Sequence, residues 1–313
     1  MKIKNNSWIL YSILAALFWG IWGVVAKFIS ADINPYTNHV LFTLGMLLTL
    51  PFVIRKVRGV KPQLKGIIWG IVAGILAVIG NVAVYQAFVS GGLAAIVIPV
   101  TNLYPLVTII IAILIFKEKL NWINVVGVFL AIPAVVMLSG QSMLFENPGE
   151  FLKNLGLNTW LIYSFIALFF WGIFSAAQKV TTNYISAEWS YIAFVASSMI
   201  ITLIMMAMGL VQYDFSRNTL YLGSLAGMLN GLGVLASFAA YSAKGKASKV
   251  TTIAGALQPV FTIVLAMLFL SEKLGSIEFI GIILAISGAL TLSYEKQSKE
   301  EIESQLSPIT NHI

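Results

Sequence analysis

The groups in this sequence that could do chemistry are amide, hydroxyl and indole side chains set inside long apolar stretches. Asn81, Tyr85, Asn102, Tyr104, Gln178, Tyr241 and Gln258 each interrupt a run of aliphatic residues. A polar side chain is expensive in hydrocarbon, so each needs a partner or a ligand. Amides and hydroxyls offer donors and acceptors without charge, which suits a polar neutral or zwitterionic ligand. The competing reading is hydrogen bonding between helices, common for Ser, Thr, Asn and Gln in membranes. It applies equally to Thr101, Ser175, Asn230, Ser237, Thr251 and Thr252. Trp19 and Trp171 lie about 11 residues into their runs, too deep for the interfacial belt that accounts for Trp8, Trp69, Trp122 and Trp160. The rings of Trp19, Trp22 and Trp171 could stack on a flat or cationic solute. Alternatively, the repeated Trp-Gly pairs pack the first run against the sixth.

Charged and special residues form a second set. Lys27 and Lys179 occupy related places in two apolar runs. They either snorkel to the headgroups or act as a gate or carboxylate anchor. His39 is a proton carrier or, a few residues inside its helix end, a histidine near the surface. Pro105 and Pro259 break or kink their helices and leave a carbonyl one turn back for a ligand or a hinge. All 12 Asp and Glu fall at run ends, in connections or in the tail. A carboxylate relay at mid-membrane is therefore disfavoured, and movement down a gradient or exchange fits better. Glu118 and Glu272, each followed by Lys, read as structural residues that fix the helix 4–5 and 9–10 corners by hydrogen bonds or an ion pair, since charges at loop ends usually stay solvated. No cysteine occurs, there are two histidines, and no His-Glu-x-x-His, Gly-x-Ser-x-Gly or Walker pattern is present. The expectation is a protein without enzymatic activity, cofactor or metal.

These residues must be held by membrane helices. The chain is 59% hydrophobic and 10% charged, with a mean hydropathy of +0.91. An average soluble protein carries about 25% charged residues. Ten apolar runs reach the length of about 20 residues that spans a bilayer. They cover 8–29, 35–54, 66–89, 92–116, 121–140, 158–180, 188–211, 219–243, 249–270 and 275–294. With both termini on one side, that side holds Lys2, Lys4, the five basic residues of 55–65, Lys117, Lys119, Lys179, Lys244, Lys246, Lys249, Lys296 and Lys299. Only Lys27, Lys153, Arg217 and Lys273 fall opposite, so the termini are expected in the cytoplasm. This distribution accounts for the net charge of +7 without nucleic acid.

The chain also repeats itself. Residues 105–120 (PLVTIIIAILIFKEKL) return at 259–274 (PVFTIVLAMLFLSEKL), with eight of sixteen positions identical. Phe18-Trp19-Gly20-Ile21 with Lys27 returns as Phe170-Trp171-Gly172-Ile173 with Lys179. The expected fold is all-α and integral to the membrane: ten transmembrane helices as two five-helix repeats. An odd number of helices per repeat inverts the second, the construction of many alternating-access carriers. Glycines at four-residue spacing, Gly66, Gly70, Gly74 and Gly223, Gly227, Gly231, provide grooves for packing within the bundle or for a homodimer.

Two five-helix halves, each opening on a Trp-Gly helix and closing with Pro…Glu-Lys-Leu before a glycine-containing helix, resemble the EamA family of the drug/metabolite transporter superfamily. The resemblance spans about 8–294. It implies repeats at 1–140 and 158–294, a periplasmic connection at 141–157 and a polar cytoplasmic tail at 295–313. It implies a multi-pass carrier of the inner (plasma) membrane, with helices 1–4 and 6–9 around a central cavity. It also implies export of small organic metabolites, amino acids or related compounds, with the small-molecule substrate and the lipid bilayer as partners. Sugar, nucleotide-sugar or drug carriage within the superfamily is the alternative. A non-transporting receptor or assembly protein is the reading from another class.

Overall fold

The computed structural model describes residues 7–107, 110, 122–138, 158–243, 245 and 247–292. Among them are ten α-helices and no strand. They are α1 (Ser7–Ile29), α2 (Pro35–Lys56), α3 (Leu64–Val89), α4 (Ala94–Thr101), α5 (Trp122–Leu138), α6 (Thr159–Thr182), α7 (Ala187–Ala207), α8 (Arg217–Ser242), α9 (Ala247–Phe269) and α10 (Ser276–Leu292). Helices α1, α2, α3, α6, α7 and α8 are long and apolar enough to cross a membrane. Large apolar side chains cover the outside, with Phe52 and Phe129 each 69% exposed and Phe269 71%. That surface is unfavourable in water and suits lipid. Glu118, Lys119, the 139–157 connection and the 293–313 tail lie outside the described residues.

The two prolines of the repeat act differently. The run expected at 92–116 stops at Thr101 and turns through 102–104 before Pro105. The amides of Leu103, Tyr104, Leu106 and Val107 bond to carbonyls three residues back. Pro99 and Pro105 remove two helical amide donors within two turns, and the chain tightens. Helix α9 loses only the donor at Pro259 and continues through it.

Contacts at the helix ends define two faces of the bundle. At the near face, Trp8 and Tyr11 at the start of α1 pack against Tyr241 and Val250. There too, the indole of Trp189 donates to the Val60 carbonyl at 3.1 Å. At the far face, the Asn34 backbone N–H donates to Gln212 Oε1 at 2.9 Å, and the Asn34 side-chain amide to the Leu210 carbonyl at 2.9 Å. Trp160, at the start of α6, lies at the far face beside Gly92. Thus α1 enters the bundle from one face and α6 from the other.

The halves interlock. Helix α1 packs on α8 and α9, and α6 packs on α3 and α4; α2 meets α8, α7 meets α3, and α5 pairs with α10. The Trp-Gly pairs make this crossing rather than joining α1 to α6. Trp19 lies on Gly233 of α8, and Trp171 lies on Gly80 of α3. Gly20 admits Phe261 and the Gln258 carbonyl of α9, while Gly172 admits Val107 and the Tyr104 carbonyl. A methyl group at any of these four glycines would collide with its neighbour. Both glycine ladders are consumed inside the chain. Gly66, Gly70 and Gly74 face α7 or the turn before it, and Gly223, Gly227 and Gly231 face Leu41, Phe42 and Met46 of α2.

This packing gives a stability test. A side chain at Gly227 would drive into the Phe42 carbonyl, whereas a methyl at Gly255 would meet its nearest atom, Asn102 Oδ1, at 3.7 Å. Gly227→Val should lower the thermal unfolding midpoint in detergent, at an overpacking cost of about 1–3 kcal/mol. Gly255→Ala should leave it unchanged or raise it, since Ala favours a helix by about 1 kcal/mol over Gly. Equal midpoints would refute the close α2–α8 contact.

Candidate functional site

A cavity lies where the two halves cross, with about 570 Å³ of empty space counted to its open side. The first half supplies Trp19 and Trp22 from α1, Ala77 and Asn81 from α3, and Tyr104 from the turn after α4. The second half supplies Trp171, Phe174, Ser175 and Gln178 from α6, Phe194 from α7, and Asn230, Val234, Ser237 and Tyr241 from α8. Helix α9 adds Val250, Ala254 and Gln258. None of these side chains carries a charge at neutral pH. Helix α2, expected around the cavity, contributes no lining residue.

Several polar groups of the wall hold one another. Trp171 Nε1 donates to Asn81 Oδ1 at 3.2 Å. Ser237 Oγ donates to Gln178 Oε1 at 3.3 Å, while Gln178 Nε2 is buried and has no partner. Buried polar atoms are seldom left unpaired, and Gln178 stands on the cavity wall. The repeat is not symmetric here. Gly80 and Gly233 correspond, so the counterpart of Asn81 is Val234, which cannot accept from the Trp19 indole. The aromatic wall is continuous: Trp22 and Trp171 have ring centroids 6.0 Å apart at 55°.

Eleven of the residues singled out from sequence meet at this cavity: Trp19, Trp22, Asn81, Tyr104, Trp171, Ser175, Gln178, Asn230, Ser237, Tyr241 and Gln258. Tyr85 and Asn102 do not line it. Tyr85 sits one layer behind, fully buried, where its hydroxyl accepts from Trp22 Nε1 at 3.3 Å. Asn102 Nδ2 donates to the Ile98 carbonyl at 2.9 Å, which ties the amide back to α4 and leaves Oδ1 without a partner.

Lys27, His39, Lys179, Pro105 and Pro259 are also off the wall. Lys27 Nζ donates to the Phe88 carbonyl at 3.1 Å and lies 5.7 Å from the Phe88 ring centroid. Lys179, near the end of α6, is half-buried. His39 is not near the surface: it is 0% exposed, because α7 covers it. Its Nε2 lies 3.4 Å from Thr43 Oγ1, which accepts from Thr202 Oγ1 of α7 at 2.9 Å. His39 stacks on Phe42 with centroids 5.7 Å apart, Phe42 meets Tyr85 at 6.5 Å, and Tyr85 meets Trp22 at 6.1 Å. A chain of four rings, the histidine's included, thus runs from His39 to Trp22 on the cavity wall.

The apolar wall, Ala77, Phe174, Phe194, Val234, Val250 and Ala254, escapes sequence reasoning because an apolar residue in an apolar helix carries no signal. One clue exists. Phe174 is the repeat counterpart of Trp22, at the 152-residue spacing that relates Trp19 to Trp171.

The cavity is biased toward one face. Ser175 and Gln178 on α6, Ser237 and Tyr241 on α8, and Val250 on α9 carry its wall toward the near face. At the repeat spacings of 152 and 153, their counterparts are Gly23, Ala26, Val84, Phe88 and Val97. All five are buried and none lines the cavity. The polar part of the wall lies toward the near face, while the related far positions are glycine or apolar residues off the cavity.

A family model for the EamA-like transporter family matches residues 6–140 and 158–294. An uncharacterized transporter of Archaeoglobus fulgidus is 23% identical over 287 residues, covering 91% of this chain and 97% of that protein. One from Clostridium kluyveri is 22% identical over 302 residues, covering 93% and 94%. An uncharacterized protein of Methanocaldococcus jannaschii is 28% identical over 132 residues, 42% of this chain but 95% of its own length. A protein crystal structure matches the fold with a TM-score of 0.61 at 18% identity, covering 91% of this chain and 96% of that one.

The wall predicts two different mutational costs. Asn81→Leu removes the acceptor of a buried indole and should destabilise the protein by up to about 1 kcal/mol, the usual scale for a hydrogen bond between membrane helices. Gln178→Leu replaces an amide whose Nε2 is already unpaired and should cost less. Thermal unfolding of both variants in the same detergent decides between this ranking and its reverse.

Proposed function

The chain belongs to the EamA-like transporter family, and on that premise we propose that it is an alternating-access carrier of small, net-neutral organic metabolites. The observation that carries this reading is the unequal state of two related half-passages around one cavity. Ser175, Gln178, Ser237 and Tyr241 line the cavity, while Gly23, Ala26, Val84 and Phe88 pack away from it. Two inverted repeats can exchange these conditions by rocking about the site where they cross. The entry of α1 and α6 from opposite faces supports inversion, as does a relative about one repeat long. Ten spans follow when α4, α5, α9 and α10 cross with the other six.

In this reading the near face is cytoplasmic, because 55–65 and most other basic residues collect there. The protein then sits in the inner (plasma) membrane with both termini inside. The uncharged wall supports amino acids and related compounds as the first substrates to test. A phosphorylated sugar or nucleotide-sugar would need basic residues at the site, and none lines the cavity. Trp19, Trp22 and Trp171 offer faces to an apolar or aromatic portion, and the amides offer polar contacts. Absence of carboxylates from the wall favours exchange or movement down the solute's own gradient. Export is the direction that the family resemblance implies.

Counterflow in proteoliposomes is the decisive measurement, with one unlabelled amino acid inside, labelled tracer outside and no ion gradient. Tracer accumulation is expected. Ala254→Phe, which adds a ring at the cavity wall, should abolish that accumulation while the variant still folds. Signal from sugars or organic cations instead would move the substrate class. Silence from every class with folded protein would sink the carrier reading.

A further inference from the structure

We propose that Glu272, assisted by Lys27 at the same face, is the lock that holds the far face closed. This inference rests on the alternating-access reading. Glu272 follows α9 but does not serve its own corner. Its Oε1 accepts from the Ala94 N–H at 2.8 Å and its Oε2 from the Ala95 N–H at 2.9 Å. Those are the first two amides of α4, so a carboxylate of the second half caps a helix of the first. The cap is needed, because Leu93 at the N-cap position supplies no side-chain acceptor. Unpaired amides at a helix start are costly away from water, and the helix dipole adds to their attraction for an anion. Glu272 is only 8% exposed, not the solvated corner charge expected from its sequence. Ser271, just before it, has φ 53, a left-handed conformation that L residues avoid. The turn carries that strain in the conformation that presents the carboxylate.

Lys27 completes the arrangement. It lies within electrostatic reach of Glu272, and its Nζ donates to the Phe88 carbonyl at the end of α3. The ends of α1, α3 and α9 and the start of α4 are thereby tied together over the sealed positions Ala26, Phe88 and Val97. The tie is strong only where water is excluded. Once the far face opens, water can hydrate the carboxylate, the ammonium and the α4 amides, so the closed state alone depends on the bond. Lys179, the repeat counterpart of Lys27, has no hydrogen bond from its Nζ to any described residue. That difference matches a lock engaged at the far face.

The chain has no cysteine, so single reporters can be read without background. Val97→Cys reports the sealed far passage and Ser237→Cys the open near passage, each in the full-length chain. A charged, membrane-impermeant methanethiosulfonate reagent is added to right-side-out or inverted vesicles. Glu272→Gln should raise far-face labelling of Val97→Cys by about tenfold, the factor that one lost charged hydrogen bond puts on an equilibrium. The same substitution should lower near-face labelling of Ser237→Cys. Lys27→Gln should shift both reporters in the same directions, by less. Unchanged far-face labelling in folded Glu272→Gln overturns the lock, as does a rise at both reporters, which marks general loosening. Should Glu272→Gln fail to reach the membrane, Lys27→Gln and Glu272→Asp carry the test with the same two outcomes. Labelling needs no solute, so the readings separate. Shifted labelling without counterflow leaves the lock and removes the carrier, and counterflow with unmoved labelling does the reverse.

Discussion

The structure depends on one crossing: each half inserts a Trp-Gly pair into the other. Trp19 and Trp171 are bulky rings laid against Gly233 and Gly80, and Gly20 and Gly172 bring α1 and α6 against the backbones of the opposite half. In lipid there is no hydrophobic drive between helices, so association relies on close van der Waals fit and hydrogen bonds. Small residues permit that approach, and the indoles fill what the glycines leave. Because the pairs cross between halves, neither repeat has its complete set of neighbours alone. The cavity forms at the crossing because two large rings there abut small residues instead of other large side chains.

The repeat fixes backbone symmetry, and side-chain differences break it where the solute would sit. Asn81 accepts from Trp171, but Val234 leaves the Trp19 indole without that bond. Ser175 and Gln178 replace Gly23 and Ala26 at related places on α6 and α1. The near passage therefore carries hydroxyls and amides, and the far passage carries aliphatic and glycine positions that close tightly.

Much of the fold was legible because the bilayer demands it. Run length, the bias of basic residues and the doubled Pro…Glu-Lys-Leu and Trp-Gly motifs point to a helical membrane protein of two halves. The course of helix 4 was less legible, since two prolines within one run act together and a single proline in α9 does not. For the cavity, polar residues in apolar runs were the right signal but an incomplete one. Asn81 and Tyr85, four residues apart, share one face of α3 but lie a turn apart along it, so Asn81 reaches the cavity while Tyr85 packs behind Trp22. His39 is buried near a helix end because α7 packs over it, and nothing in its own helix reports that. Glu272 is the clearest case. Its local sequence is that of an exposed turn, and only the arrival of α4 from the other half turns it into a buried cap.

The distribution of charge then makes physical sense of the neutral wall. A fixed charge in a low-dielectric passage is tolerable only when paired, and a passing solute could pair with it in some states but not in others. Dipoles avoid that difficulty. Amides, hydroxyls and indoles can be satisfied by a guest, by water or by one another as the passage changes. Charges are kept for the ends of the helices. Lys27 and Glu272 join helices at the far face, and Lys65, 4.7 Å from the Tyr184 ring centroid, lies over the turn before α7 at the near face. An interior of dipoles with charged contacts at the rims keeps fixed charge off the cavity wall.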